Sequence, residues 1–228
     1  MSNPTDETGP APDVPAHPVQ LSPEDLHRMQ GQLQRFMYEY EFGLREVETK
    51  ISILSDEFRH MHDYNPIEHV TSRVKSADSI TRKVIRKGVA PDIDSIRQHI
   101  VDIAGLRVTC SFTQDVYLIF NLLTKQSDIT VREVRDYIAT PKPNGYKSLH
   151  AIVEVPVFLS TGTISVPVEV QFRTISMDFW ASLEHKIHYK YDGNVPADLV
   201  AELKDAADAA QELDAKMEAL HRELHGAR

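Results

Sequence analysis

The sequence predicts an α+β fold, a mixed sheet of about five strands surrounded by helices. Three observations lead there: apolar residues spaced by three and four at both ends of the chain, alternating β-branched runs through its middle, and a basic helical stretch between the first two of those runs. With 228 residues, of which 41% are hydrophobic and 26% charged, the chain can form one generous domain or two small ones around a real core.

The elements follow in order. Pro4, Pro10, Pro12, Pro15 and Pro18 crowd a polar opening, so residues 1–20 are expected to form a disordered tail. Ser22 as N-cap, Pro23 at the first helical position and the carboxylates of Glu24 and Asp25 then start a helix. The series Leu26, Met29, Leu33, Phe36, Tyr40, Leu44, Val47, Ile51, Leu54, Phe58 extends it as one long helix, or as two in tandem broken at Gly43. A strand over 70–75 leads to a basic helix over 76–87 that Gly88 stops. Asp92 or Asp94 caps a helix through 101, and 106–110 alternates like a strand. A helix over 115–125 and a strand over 129–137 come next, and 148–157 and 163–172 form an antiparallel hairpin turning across Ser160, Thr161 and Gly162. Residues 174–191 read as helix, and Pro196 opens the last one. Its residues Leu199, Leu203, Ala206, Ala210, Leu213, Met217, Leu220 and Leu224 form a narrow coiled-coil seam, which packs on the chain's own N-terminal helix or makes a subunit interface.

Charge narrows the function. The net charge of -9 argues against a partner such as long duplex nucleic acid held by global positive charge. No run of about 18 apolar residues predicts a membrane span, and the opening residues lack the order of a signal peptide, so a cytoplasmic protein is expected. The single cysteine, Cys110, cannot form an internal disulfide or a cysteine-rich zinc site. The acid is concentrated at the two ends. Between them, residues 71–90 hold Arg73, Lys75, Arg82, Lys83, Arg86 and Lys87 against Asp78 alone, which points to a compact anionic ligand.

Four motifs carry chemistry. Arg73 and Lys75 share a strand face, and Ser79, Lys83 and Arg86 share a helix face, so a strand, a turn and a helix N-terminus converge on one place: a triphosphate cradle, or else a solvated basic face. Asp102 stands just before the strand that contains Arg107, as a carboxylate for magnesium beside a cation or as one half of a local salt bridge. Glu169 and Gln171 share one face of an otherwise apolar strand; either Glu169 joins Asp102 on one metal, or Pro167 marks an edge strand with a wet face. The loop around Pro141, Pro143, Asn144 and Gly145 presents Tyr146 among Lys142, Lys147 and His150, an arrangement suited to stacking a base while cations meet phosphate. Other motifs fall short. His60, His62 and Asp63 read as a helix end, and His185 and His188 lack the order of a zinc helix.

Together, the stretches HVTSRVKSADSITRKVIRK, DIAGLRVTC, VREVRDYIATPKPNGYKSLH and VEVQFRTISMDFWASLEHKIHYKY closely resemble the alarmone synthetase domain of RelA/SpoT homologues, in particular the small stand-alone synthetases. The resemblance implies a nucleotidyltransferase-like fold and transfer of the β,γ-pyrophosphate of ATP to the 3'-hydroxyl of GTP or GDP, with Mg2+ as cofactor. It implies that Arg73 and Arg107 sandwich adenine, that Lys75, Ser79, Lys83, Arg86 and Arg135 serve ATP, and that Asp102 and Glu169 hold magnesium, Glu169 also activating the hydroxyl. Tyr146 then stacks on guanine, with Lys142, Asn144, His150, Gln171 and Glu184 around the acceptor.

The same resemblance divides the chain into a tail over 1–20, a helical segment over 21–65, a synthetase core over 66–192 and a terminal helix over 193–228. It leads us to expect synthesis without hydrolysis, and a homotetramer. His69 stands where relatives have an aromatic residue, so alarmone activation is not carried over. Two other readings fit the residues: a nucleotidyltransferase with another acceptor, and an inactive nucleotide- or RNA-sensing scaffold.

Overall fold

The computed structural model describes residues 22–225 of the chain; the expected tail over 1–20 lies outside them. Six helices and five strands run in the order α1 (Pro23–Met61), β1 (Ile67–Val74), α2 (Ala77–Lys87), α3 (Ile93–His99), β2 (Ala104–Cys110), α4 (Thr113–Thr124), β3 (Thr130–Asp136), β4 (Leu149–Leu159), β5 (Gly162–Thr174), α5 (Ile175–Lys190) and α6 (Ala197–His225). The predicted α+β class is the observed one.

The five strands make one sheet in the order β1-β2-β5-β4-β3. β1 pairs antiparallel with β2, β2 pairs parallel with β5, and β5, β4 and β3 form an antiparallel meander. A parallel pair cannot be joined by a hairpin, and here the chain between β2 and β5 passes through α4, β3 and β4. The expected hairpin is present, with Leu159 opposite Gly162 across the turn.

One face of the sheet is the core. Leu106, Val108, Ala151, Val153, Val168, Val170 and Phe172 are fully buried there, with Val47 and Ile51 of α1 and Val116, Ile119 and Leu123 of α4 packed over them. The alternation of the strands sends their polar residues to the opposite face, and that opposite face is the one that matters for function.

Sequence caps set the helix ends. Ser76 accepts from the Ser79 N–H at the start of α2, and Gly88, with φ of 64°, ends it in the left-handed conformation. Asp92 caps α3 and Thr174 caps α5 through the same kind of bond. The helix capped by Asp92 is shorter than expected, because Ile100 leaves the helical conformation and is wholly buried in the core.

Two expectations are corrected. The alternative of tandem helices broken at Gly43 is wrong: α1 is continuous, and Gly43 is where it presses closest on the sheet. A Cβ there would lie 2.5 Å from Cγ1 of Val166 on β5. The seam of the last helix does not pack on α1 either. Instead α6 packs on α5, with Leu203 and Ala207 buried against Trp180 and Ala181 and the Trp180 indole N–H donating to the Leu203 carbonyl at 2.7 Å. Ala206 is exposed beside the buried Ala207, and Leu213, Met217 and Leu220 are half exposed. Asp214 and His221 turn inward instead, Asp214 to Thr174 at 2.7 Å and His221 to the rings of Tyr64 and Phe112.

The close approach at Gly43 generates a test. Alanine would favour the helix by about 1 kcal/mol, but overpacking against Val166 costs about 1–3 kcal/mol, so Gly43→Ala should be net destabilising in urea unfolding. Val166→Ala introduced into the Gly43→Ala chain should recover part of that loss.

Candidate active site

Strand register assembles the cleft. Arg73 on β1 stands opposite Gly105 on β2, and Gly105 stands opposite Glu169 on β5. Arg107 faces Gln171, and Gln171 faces His150 on β4. Side chains of directly paired residues emerge on the same side of a sheet, so these residues share the face that the core does not use. They bound a cleft of about 240 Å3, with Arg73, Lys75, Asp102, Arg107, Glu169 and Gln171 in its lining.

At one end, two lysines meet one carboxylate. Lys75, just past β1, donates to Asp102 Oδ2 and to the Asp102 carbonyl, each at 2.6 Å, and Lys83 of α2 donates to the same Oδ2. Ile80 and Val84, buried under α2, hold that helix so that Lys83 points inward. Burial pushes the Asp102 carboxyl up, but the hydrogen bonds and charges of Lys75 and Lys83 outweigh it and keep the group below the usual aspartate range. Asp102 Oδ1 is buried and has no hydrogen-bond partner. An orphaned carboxylate oxygen beside a second acid fits a hard divalent cation, which takes one or two carboxylates and leaves its other positions to water and phosphate.

Glu169 is the second acid. Its Oε2 accepts from the Gln171 amide at 2.9 Å and its Oε1 lies 3.5 Å from His150 Nδ1. Burial raises this carboxyl, yet His150 and Gln171 more than offset it and hold Glu169 below the ordinary glutamate range despite Asp102 nearby. It is an ionised hydrogen-bond acceptor. Glu169 does not lie on an edge: β5 is the central strand, and Pro167 is tolerated because pairing with β2 begins only at Val168.

On the other side of Gln171 and His150 lies a cluster of rings. The Tyr146 hydroxyl is 2.7 Å from His150 Nε2, and Tyr137 meets Tyr146 edge-on at 5.9 Å. Lys142 Nζ lies 4.7 Å from the centroids of both tyrosine rings. Asn144 accepts from the Tyr146 N–H and donates to Glu184 at 3.2 Å, so Glu184 holds the loop from α5. Gly145 is required in that loop, since its φ is 89° and a Cβ would sit 2.6 Å from Ala207 of α6.

Not every expected residue joins the cleft. Lys147, read beforehand as a cation beside Tyr146, is buried and turned away to Gln211 of α6. Arg86 is exposed further along α2, and Ser79 is held within the first turn by Ser76 and Arg82. Arg135 lies on the edge strand β3 in register with His150, with its Nε donating to Glu133 at 2.5 Å. Sequence reading also missed residues. Arg173 and Asp178 sit between the two halves of the cleft, although the alternation that singled out Glu169 and Gln171 continues two residues on to Arg173.

Known proteins share this arrangement. Residues 72–194 match the family described as "Region found in RelA / SpoT proteins". The GTP pyrophosphokinase YwaC of Bacillus subtilis is 47% identical over 201 residues, covering 88% of this chain and 96% of YwaC. The crystal structure of small alarmone synthetase 1 from Bacillus subtilis bound to its product pppGpp superposes with a TM-score of 0.79 at 38% identity, covering 85% of this chain and 98% of the other. The same synthetase bound to AMPCPP gives a TM-score of 0.74 at 34% identity over 86% of this chain and all of the other.

The lowered carboxyl of Asp102 has a consequence for stability. A carboxyl whose folded pKa is depressed contributes stability fully above its unfolded value, about 3.9 for aspartate, and loses it as pH falls through the lower folded value. The urea midpoint should therefore fall as pH drops below about 4. Asp102→Asn, with no proton to gain, should show a shallower fall.

Proposed function

The chain belongs to the RelA/SpoT family, among its small alarmone synthetases, and is a GTP pyrophosphokinase that makes (p)ppGpp; from that premise we propose how its cleft carries out the transfer. The observation that carries the proposal is the pairing of β2 with β5, which sets Glu169 beside Gly105 and so puts two carboxylates between the lysine cluster and the tyrosine loop.

ATP enters with its adenine between the guanidinium groups of Arg73 and Arg107, whose planar faces suit stacking. Its phosphates replace the Asp102 carboxylate as partners of Lys75 and Lys83, while Ser79, Arg86 and Arg135, which lie outside the cleft, meet only oxygens that project beyond it. GTP or GDP stacks its guanine on Tyr146 while Lys142, Asn144 and Glu184 fix its position. Gln171 and His150 orient Glu169, which takes the proton from the 3'-hydroxyl. The hydroxyl oxygen then bonds to the β-phosphorus of ATP, the bond from that phosphorus to the α,β-bridging oxygen breaks, and AMP leaves with the electron pair. Asp102 and Glu169 would hold magnesium, which when bound would supply neutralising charge at the transferred pyrophosphate. Most of the catalytic work in such a transfer is positioning two anions in line, and the excess of cations over carboxylates in the cleft supports that role.

The use of ATP and GTP supports a cytoplasmic setting; no described helix is long and apolar enough to cross a membrane. The half-exposed Leu213, Met217 and Leu220 on α6 support assembly into a tetramer through that face.

Purified protein given ATP, GTP and magnesium should produce AMP and a pyrophosphorylated guanosine nucleotide, resolved by anion exchange; free pyrophosphate with a nucleotidylated acceptor would sink the proposal. In that assay Glu169→Gln should lose about a hundredfold or more, since a general base and a metal ligand go together. Tyr146→Ala should raise the acceptor KM more than the ATP KM, and equal effects would argue against guanine stacking. For the assembly, Met217→Glu should lower the mass measured by light scattering, and an unchanged mass would remove α6 from the interface.

A further inference from the structure

Arg173 lies at the end of β5 with its side chain 5% exposed, and it has no place in the mechanism above. Its hydrogen bonds fan out across the cleft. Nη2 donates to the Tyr146 hydroxyl at 2.8 Å and to Gln171 Oε1 at 2.9 Å, while Nη1 donates to Asp178 Oδ1 at 3.0 Å. The guanidinium carbon also lies 5.3 Å from the centre of the Tyr146 ring. Asp178, in the first turn of α5, uses the same Oδ1 for a second partner, Arg107 Nη1, again at 3.0 Å. Its other oxygen lies 3.9 Å from His69 Nε2.

One carboxylate oxygen therefore joins the arginine of the donor side to the arginine that holds the acceptor-side ring. The hydrogen-bond directions are consistent along the path. Arg173 donates to the tyrosine oxygen, which leaves the Tyr146 hydroxyl proton for His150 Nε2 and assigns the other imidazole proton to Nδ1, facing Glu169. A second path from Arg173 runs through Gln171 to Glu169. Burial and the charge of Arg173 lower the Arg107 guanidinium, and Asp178 opposes them, so the two arginines tolerate each other through that shared carboxylate.

We propose that Arg173 is a positioning residue which, with Asp178, locks Arg107, Tyr146 and the Glu169–Gln171 pair into one rigid network, so that the donor and acceptor subsites are set together and not independently. The proposal rests on the acceptor-site reading of Tyr146. Lysine at 173 keeps the charge but has no planar fork to reach Asp178, Gln171 and Tyr146 at once. Asparagine at 178 keeps an accepting oxygen and loses the charge that two guanidiniums share.

The test is calorimetric titration of GTP and, separately, of AMPCPP into the wild-type chain, Arg173→Lys, Asp178→Asn, Tyr146→Ala and Tyr146→Phe, with thermal melting to verify folding. Arg173→Lys is expected to weaken GTP about tenfold, the loss of one hydrogen bond to a charged group, and AMPCPP several-fold through the released Arg107. Asp178→Asn should weaken both nucleotides. Because Tyr146→Phe removes only the hydroxyl that Arg173 binds, Arg173→Lys should cost GTP affinity less in that background than alone, a non-additivity that a merely structural role would not produce. GTP affinity within twofold of wild type in Arg173→Lys, or additive effects with Tyr146→Phe, overturns the proposal while Tyr146→Ala still loses GTP. If Tyr146→Ala itself keeps GTP affinity, the acceptor-site reading is what fails. Should Arg173→Lys not fold, Asp178→Asn decides: weakening of AMPCPP alone, or of neither nucleotide, overturns it.

Discussion

The parallel register between β2 and β5 is the constraint on which the rest of the molecule depends. With Gly105 opposite Glu169 and Arg107 opposite Gln171, the polar side chains of the two central strands face away from the core. A slip of one residue would bury Glu169 and Gln171 under α1 and α4 and expose Val170 and Phe172. The register is protected by the cost of that exchange, since Val168, Val170 and Phe172 are fully buried. The same apolar contacts that stabilise the fold thus decide which way the polar side chains of the cleft face.

Charge balance is the second organising principle. Lys75 and Lys83 both lean on one oxygen of Asp102, an arrangement that gives partly buried cations a partner until a stronger anion arrives. Phosphates can take over the lysines because they offer several oxygens where Asp102 offers one to share. The carboxylate released in this exchange is the one whose other oxygen already lacks a partner. On the proposed function, nucleotide and metal would therefore meet at a single side chain.

Local patterns were readable in the sequence, and long-range placement was not. Strand alternation identified Glu169 and Gln171 as neighbours on one face, and Asp92 marked a helix start that the structure keeps. The convergence of Lys75 and Lys83 was also foreseeable, because a strand, a turn and a helix in immediate succession leave little freedom, whereas their meeting with Asp102 from a later segment was not. Lys147 was misread because its direction is decided by α6, which arrives more than sixty residues later and offers Gln211. Ala207 displaced Ala206 from the α6 contact for a similar reason: Gly145 left a space that only a small side chain at that angle fills. Arg173 escaped notice because the alternation that reaches it says only which face it takes, and its partners come from β5, α5 and the tyrosine loop.

The β4–β5 hairpin has a practical use. Its tip, Ser160 and Thr161, lies eight residues from Glu169 along an unbroken strand, about 26 Å at the usual rise per residue. The strands leading to it are long, paired along their length and anchored in the core, while the turn itself is exposed or nearly so. Such a position tolerates added chain well, because an insertion there disturbs neither ladder nor packing. A fluorophore, an affinity handle or a surface tether attached at this turn would report on the enzyme, or immobilise it, from the end of the sheet opposite the nucleotides.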